Sequence, residues 1–415
     1  MRLALSRLAI PTAIGLVTAM VATPIAVVVS QVGASSGGLW PHLASTVLPD
    51  YVRNTLLLAV GVAALSLLFG VTSAWLVTLC RFRGRSWLRW ALLLPLAIPA
   101  YLSAYAYTDV LQFSGPVQTA LRQEFGWSAR DYWFPEVRSL AGVTVLLALA
   151  LYPYVYLAAR TAFVEQSVCT LEVARTLGHG PWSSFFRVAV PLARPSIFAG
   201  LSLVLMETLA EFGAVQYCAV DTFATGIYRT FKLPDRHAMT AAAQLSACLL
   251  AMVVLLLAAE SLARRSARFH HTSTRYRTLP SWRLSGVKGA LAFIACFLPV
   301  LFGFAVPLLI FAVKTWRDGD ARALEVFFEF GRNSFVLAAT ASAMAVVLAL
   351  VVSFGRRLHD TAWTRVLARL AGVGYAIPGA VIAIGVLIPV IWLDRRLSGV
   401  LGQLFGSGSG LILSG

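Results

Sequence analysis

The sequence predicts an all-α polytopic membrane protein, built as two tandem parallel-repeat units of which the second is incomplete. Three observations predict it. Hydrophobic residues make up 59% of the 415, charged residues only 13%, and mean hydropathy is +0.77, where soluble domains carry about 25% charged residues. Apolar runs of about 20 residues, enough to cross roughly 30 Å of hydrocarbon as helix, recur along the whole chain. Two blocks of sequence also return at one common spacing.

The spans are expected at 8–32, 55–79, 90–112, 139–159, 196–219, 241–259, 289–313, 334–355 and 371–393. The first is too long for a cleaved leader and lacks a small-x-small site before polar sequence, so it reads as a retained helix. With the N-terminus inside, cytoplasmic segments hold 21 of the 34 Lys and Arg, whereas 12 of the 18 Asp and Glu fall outside. This is the positive-inside asymmetry. It assigns the formal charge of +16 to membrane lipid and insertion, with no nucleic acid as partner. The basic run from Arg264 to Lys288 reads as a cytoplasmic linker. Cys80, Cys169, Cys218, Cys248 and Cys296 are scattered, and no structural disulfide is expected.

The repeat is read from two matches. Arg53-Asn54-Thr55-Leu56 aligns with Arg332-Asn333-Ser334-Phe335, and Ala97-Ile98-Pro99 with Ala376-Ile377-Pro378, both at an offset of 279 residues. Like orientations make it a parallel repeat. Asn54 and Asn333 read locally as helix N-caps, Pro99 and Pro378 as membrane kinks. The expected organisation is a first unit over 1–265 with six spans, a linker at 266–288, and a second unit over 289–415 with three. At this offset the counterpart of residue 172 falls beyond Gly415, so the sequence is expected to be incomplete.

Between the fourth and fifth spans, Glu172 to Leu177 forms a good short helical segment that Gly178, Gly180 and Pro181 break. Trp182 to Val190 is expected as a second short helix before Pro191 and Pro195 redirect the chain. Glu172-Val173-Ala174, Gly178 and, after nine residues, Val188-Ala189-Val190-Pro191 resemble the EAA loop of ABC-importer permeases. The resemblance implies that 172–191 seats in a cleft of a cytoplasmic ABC ATPase subunit, acting as a dimer. Glu172 and Gly178 would then be contact and turn residues, Ala174 and Pro191 would complete the motif, and Arg175 would pair with an acidic cleft residue. The chain has no GxxxxGK[ST] phosphate loop, so ATP hydrolysis is expected from that separate subunit and no enzyme activity from this one.

Within the fifth span, Glu207 and Glu211 lie four residues apart and are expected on one helix face. An acid at mid-bilayer costs roughly 2.5–3.5 kcal/mol, so both should face the bundle interior, either lining the pathway or forming a hydrogen-bonded pair. No His or Cys accompanies them at ligand spacing, and neither metal nor cofactor is expected. The run Glu207-Thr208-Leu209-Ala210-Glu211-Phe212-Gly213, continued by Val220-Asp221-Thr222-Phe223-Ala224-Thr225-Gly226-Ile227-Tyr228-Arg229-Thr230, is similar to that of iron(III)-type permeases, whose single chains carry both permease halves. That resemblance implies a bacterial inner-membrane permease for ferric iron, served by a periplasmic or surface substrate-binding protein. Duplicated permeases for thiamine or a phosphonate share the plan. A proton-coupled carrier using the two acids would explain the acids and the repeat, but not the loop.

Overall fold

The computed structural model describes residues 2–165, 176, 178, 180–265, 282–319 and 321–405. The described helices begin with α1 (Arg2–Ser30), α2 (Leu39–Thr46), α3 (Leu48–Leu79), α4 (Arg85–Ala91), α5 (Ala100–Leu111), α6 (Pro116–Phe125) and α7 (Leu140–Glu165). They continue with α8 (Pro181–Ser184), α9 (Val190–Ala210), α10 (Gly213–Tyr217), α11 (Phe223–Phe231) and α12 (Ala238–Arg265). The last five are α13 (Val287–Val300), α14 (Val306–Asp318), α15 (Ala321–Leu358), α16 (Ala362–Val373) and α17 (Gly379–Phe405). Among the described residues the only strands are β1 (Cys80–Arg81) and β2 (Trp282–Arg283), paired in parallel.

Seven helices among the described residues are long and apolar enough to cross a membrane. The spans expected at 90–112 and 371–393 are not straight. Each bends sharply, by 87° between Arg85–Ala97 and Ala100–Phe125 and by 111° between Ala362–Ala376 and Gly379–Ser398. Both bends fall at the repeated Ala-Ile-Pro. The proline ring forces the residue before it out of the helical region, and Ile98 is indeed extended, at φ −107° and ψ 117°.

The chain divides into two compact units. One comprises Met1–Leu43, Ile227–Leu250 and Lys314–Gly415, the other Ala44–Gly226 and Ala251–Val313. In the first, α1 packs along α15, α16 and α17. The contact is close because Gly385 faces the Pro24 backbone, where an added Cβ would lie 2.3 Å from its carbonyl oxygen. The Thr18 hydroxyl donates to the Leu367 carbonyl at 3.1 Å.

In the second unit, α3, α7 and α9 pack against one another. Small residues let the backbones approach, as membrane helices require when lipid gives no hydrophobic drive between them. A Cβ on Gly70 would sit 2.9 Å from the Tyr156 amide nitrogen, and one on Gly200 2.9 Å from the Tyr154 carbonyl oxygen. Trp75, Tyr152, Tyr156 and Phe163 are fully buried around this contact. The β1–β2 pair brings residues 80–81 and 282–283 to one end of the unit, where the Leu284 amide donates to the Arg81 carbonyl at 2.9 Å.

Asn54 is not an N-cap. The helix containing it starts at Leu48, and the Asn54 amide instead donates to the Asp221 carbonyl at 2.9 Å. Asn333 likewise lies inside a helix, α15.

Candidate functional site

One end of the second unit is built on Trp75, in the last turns of α3. Its ring is 2% exposed and meets Phe163 of α7 at 5.8 Å, Trp282 of β2 at 5.4 Å and Phe185 at 4.9 Å between centroids. Phe185 belongs to the segment matched to the EAA loop. An aromatic cluster thus joins that segment to two transmembrane helices, each contact adding about 0.5–1.5 kcal/mol beyond simple burial. Trp182 and Phe186, on either side, are 62% and 66% exposed. The surface beside the anchor is therefore apolar and uncovered, a composition suited to a protein partner. Arg85 closes the adjoining end of α3, its guanidinium donating to the Val77 and Thr78 carbonyls at 2.7 and 3.1 Å. Burial pushes the neighbouring Cys80 thiol up to about 11, which keeps it protonated and unreactive.

Of the predicted loop residues, Glu172, Ala174 and Arg175 lie outside the described residues. Gly178 is exposed and left-handed, at φ +81°, with nothing within 4 Å of an added Cβ. Its requirement is conformational: side chains disfavour that region by about 1–2 kcal/mol, and nothing crowds the site. Pro191 does not redirect the chain. α8 passes through a wide π turn at Phe185–Ala189 straight into α9, with the Val190 amide donating to the Phe185 carbonyl. Pro191 follows the π turn within one continuous helix, which its ring does not break.

The second candidate region lies where the fifth span breaks. α9 stops at Ala210, Glu211 is extended at φ −67° and ψ 120°, and the chain re-enters helix at Gly213. Glu207 and Glu211 therefore do not share one helix face as predicted. The physical cause is local: the Glu211 carboxylate accepts from the Ala214 amide at 2.8 Å, satisfying a free donor at the start of α10. Glu207 stays on α9, two turns after Gly200 and so on the side facing α7, near enough to Tyr154 for the two to interact electrostatically. Among the described residues no three His, Cys, Asp or Glu gather as a metal site.

The run after α10 is a compact knot. The Thr225 hydroxyl accepts from the Thr222 amide at 2.9 Å and donates to the Val220 and Thr222 carbonyls. The Phe223 amide donates to the Thr55 hydroxyl at 3.2 Å. A Cβ on Gly226 would meet the Tyr51 ring at 2.3 Å. These contacts dock the run on the first half of α3 and explain two residues of Asp221 to Gly226: the Thr225 hydroxyl serves backbone groups, and Gly226 makes room for a ring. Sequence reading missed the Trp75–Phe185 anchor and the docking of Asn54 and Thr55, because both join residues more than 100 positions apart.

The description "binding-protein-dependent transport system inner membrane component" fits residues 66–269, which hold Trp75, Phe185 and the run Glu207 to Thr230. The chain is 25% identical over 343 residues to the Fe(3+)-transport system permease protein FbpB 2 of Haemophilus influenzae, covering 81% of this chain and 63% of that one. It is 30% identical over 230 residues to the molybdenum transport system permease protein ModB of Escherichia coli, covering 53% of this chain and 97% of the relative. With the sulfate transport system permease protein CysT of Escherichia coli the identity is 26% over 266 residues, 63% of this chain and 93% of the relative. The chain thus spans a little under two thirds of the length of FbpB 2 and nearly all of ModB. The apolar helices, the loop anchored to the bundle and these similarities lead to one conclusion: the chain belongs to the family of binding-protein-dependent transport system inner membrane components, the multi-pass permeases of ABC importers.

Proposed function

We propose that this chain is the membrane permease of an ATP-driven, binding-protein-dependent importer of ferric iron. A separate cytoplasmic ABC ATPase docks on residues 172–191, and a substrate-binding protein delivers cargo at the opposite face. In this reading the N-terminus is cytoplasmic and the chain hydrolyses no ATP itself. The observation that carries it is the seating of Phe185 on Trp75: a push on the docking loop would be passed to α3 and α7 without slack, because close-packed aromatic cores do not yield. Support for iron comes from the run Glu207 to Thr230 and from the likeness to FbpB 2. The second half is read as a second copy of the unit, supported by helix breaks at both Ala-Ile-Pro blocks.

The test is uptake into proteoliposomes holding the permease, its ATPase and its binding protein. Radiolabelled ferric citrate should accumulate with ATP and not without it. Accumulation of molybdate or sulfate with no iron uptake would contradict the iron assignment.

A further inference from the structure

In the second unit two basic segments distant in sequence lie against each other, one following α3 and one leading into α13. The parallel β1–β2 pair sets Arg81 in register with Arg283. In the other registered pair Cys80 is buried and the Trp282 ring rests on Trp75. Side chains alternate along a strand, so Arg81 and Arg283 share the outer face, and both are exposed. Strands about 4.8 Å apart thus hold like charges directly opposite, which destabilises the pair. The contact continues past the strands. An added Cβ on Gly84 would lie 2.8 Å from the Phe293 ring, and Phe82 faces Gly289, so the exposed Arg83 and Lys288 flank the same contact. Arg85 is held at this end by the Val77 and Thr78 carbonyls, with Arg81, Arg89 and Arg160 near enough to act on it electrostatically.

Neither segment carries a charge to offset this. Residues 80–108 and 261–288 contain no Asp or Glu, and Arg81, Arg83, Arg283 and Lys288 make no ion pair or side-chain hydrogen bond among the described residues. Water satisfies a lone exposed arginine, and the positive-inside asymmetry accounts for basic residues in each segment separately. Neither accounts for a fold that sets cation opposite cation.

The surface beside the cluster is apolar. Here α4 buries Leu88 and turns Trp87 and Trp90 outward, 54% and 73% exposed. Trp87 meets Phe297 of α13 at 6.2 Å, Phe297 stacks on Phe293 at 5.5 Å, and the exposed Leu291, Ile294 and Leu298 continue this face along α13. Tryptophans at the ends of membrane helices sit at headgroup level. Cations, then tryptophan, then aliphatic surface follow the profile of a phospholipid from its phosphate to its acyl chains.

We infer that this face is a binding site for an anionic phospholipid, whose headgroup phosphate bridges Arg81 and Arg283 while its acyl chains lie on Trp87 and the exposed face of α13. Guanidinium binds phosphate through charge-assisted hydrogen bonds. The lipid supplies the counter-charge that the strand pair lacks, and so fastens residues 282–284 to the end of α3.

The experiment follows thermal unfolding of the purified chain in neutral detergent during titration with phosphatidylglycerol, phosphatidylcholine or sodium phosphate, and counts retained lipids by native mass spectrometry. Phosphatidylglycerol should raise Tm saturably and stay bound, and the other two should do neither. The double variant Arg81→Gln with Arg283→Gln should weaken the phosphatidylglycerol response about ten- to thirtyfold. Arg130→Gln, at an exposed arginine of the loop after α6, should leave it unchanged. Arg283→Glu separates lipid binding from general damage to the fold. It sets an internal counter-charge opposite Arg81, so Tm without lipid should rise above that of the unaltered chain while phosphatidylglycerol no longer raises it. An undiminished response in the double variant overturns the inference, as does an equal response to phosphatidylcholine or to free phosphate. An Arg283→Glu chain that is less stable without lipid yet still stabilised by phosphatidylglycerol also overturns it. Loss of ATPase co-purification from the double variant at every lipid composition would make the cluster a protein-docking surface, and would overturn it too.

Discussion

At the scale of single residues, the two acids of the fifth span have separate duties. Glu207 remains on α9 facing α7, while Glu211 has left the helix to cap the next one. Because a carboxamide keeps the oxygen that accepts from Ala214, Glu211→Gln should leave thermal stability near that of the unaltered chain. Glu211→Leu should lower it by about 1–2 kcal/mol, the cost of an unsatisfied amide at a helix start. Thermal unfolding of the purified chain in detergent checks this, and equal stability of the two variants would show that the cap is idle. The presence of two intramembrane acids was legible in the sequence, since a charged letter in an apolar run is conspicuous. Their divergence was not, because it depends on a backbone break whose only local mark is Gly213. Gly178 was legible as a turn by residue type, and its φ of +81° supplies the reason.

At the scale of elements, helices were legible from hydropathy and their breaks only in part. Spans at 55–79 and 241–259 fall inside α3 and α12 because composition alone decides which segments enter lipid. Pro99 and Pro378 announced kinks, but a proline does not state its angle, and bends of 87° and 111° depend on what packs around them. Pro191 and Pro195 misled in the opposite direction, being tolerated in the first turns of α9 beyond a π turn. Close approach of α7 to its two neighbours was likewise invisible, since a glycine in an apolar run has many possible reasons. It is now testable. Gly70→Val and Gly200→Val should each destabilise by about 1–3 kcal/mol through forced separation of helices, whereas Gly15→Val in α1, with nothing within 4 Å of its Cβ, should change little. Thermal stability in detergent measures all three, and a Gly200→Val chain as stable as Gly15→Val would refute the close contact.

At the scale of the whole molecule, the proposed function rests on a link between the segment at 172–191 and helices of the bundle. The class of protein was readable because hydropathy and motif spacing survive in one dimension. The anchor that ties Phe185 to the bundle was not, since Trp75, Phe163, Phe185 and Trp282 are gathered from four separated stretches. The account's central claim is that residues 172–191 carry the ATPase's motion into the bundle. The most direct measurement is ATP-driven uptake together with ATPase co-purification in the assembled importer carrying Glu172→Lys, Gly178→Arg or Phe185→Ala. The first reverses the expected contact charge and the second disfavours the left-handed turn. The third removes the buried ring that ties the loop to Trp75. The account predicts that all three insert into the membrane normally and lose uptake, with ATPase association lost in the first two. Undiminished uptake and association in all three would contradict it.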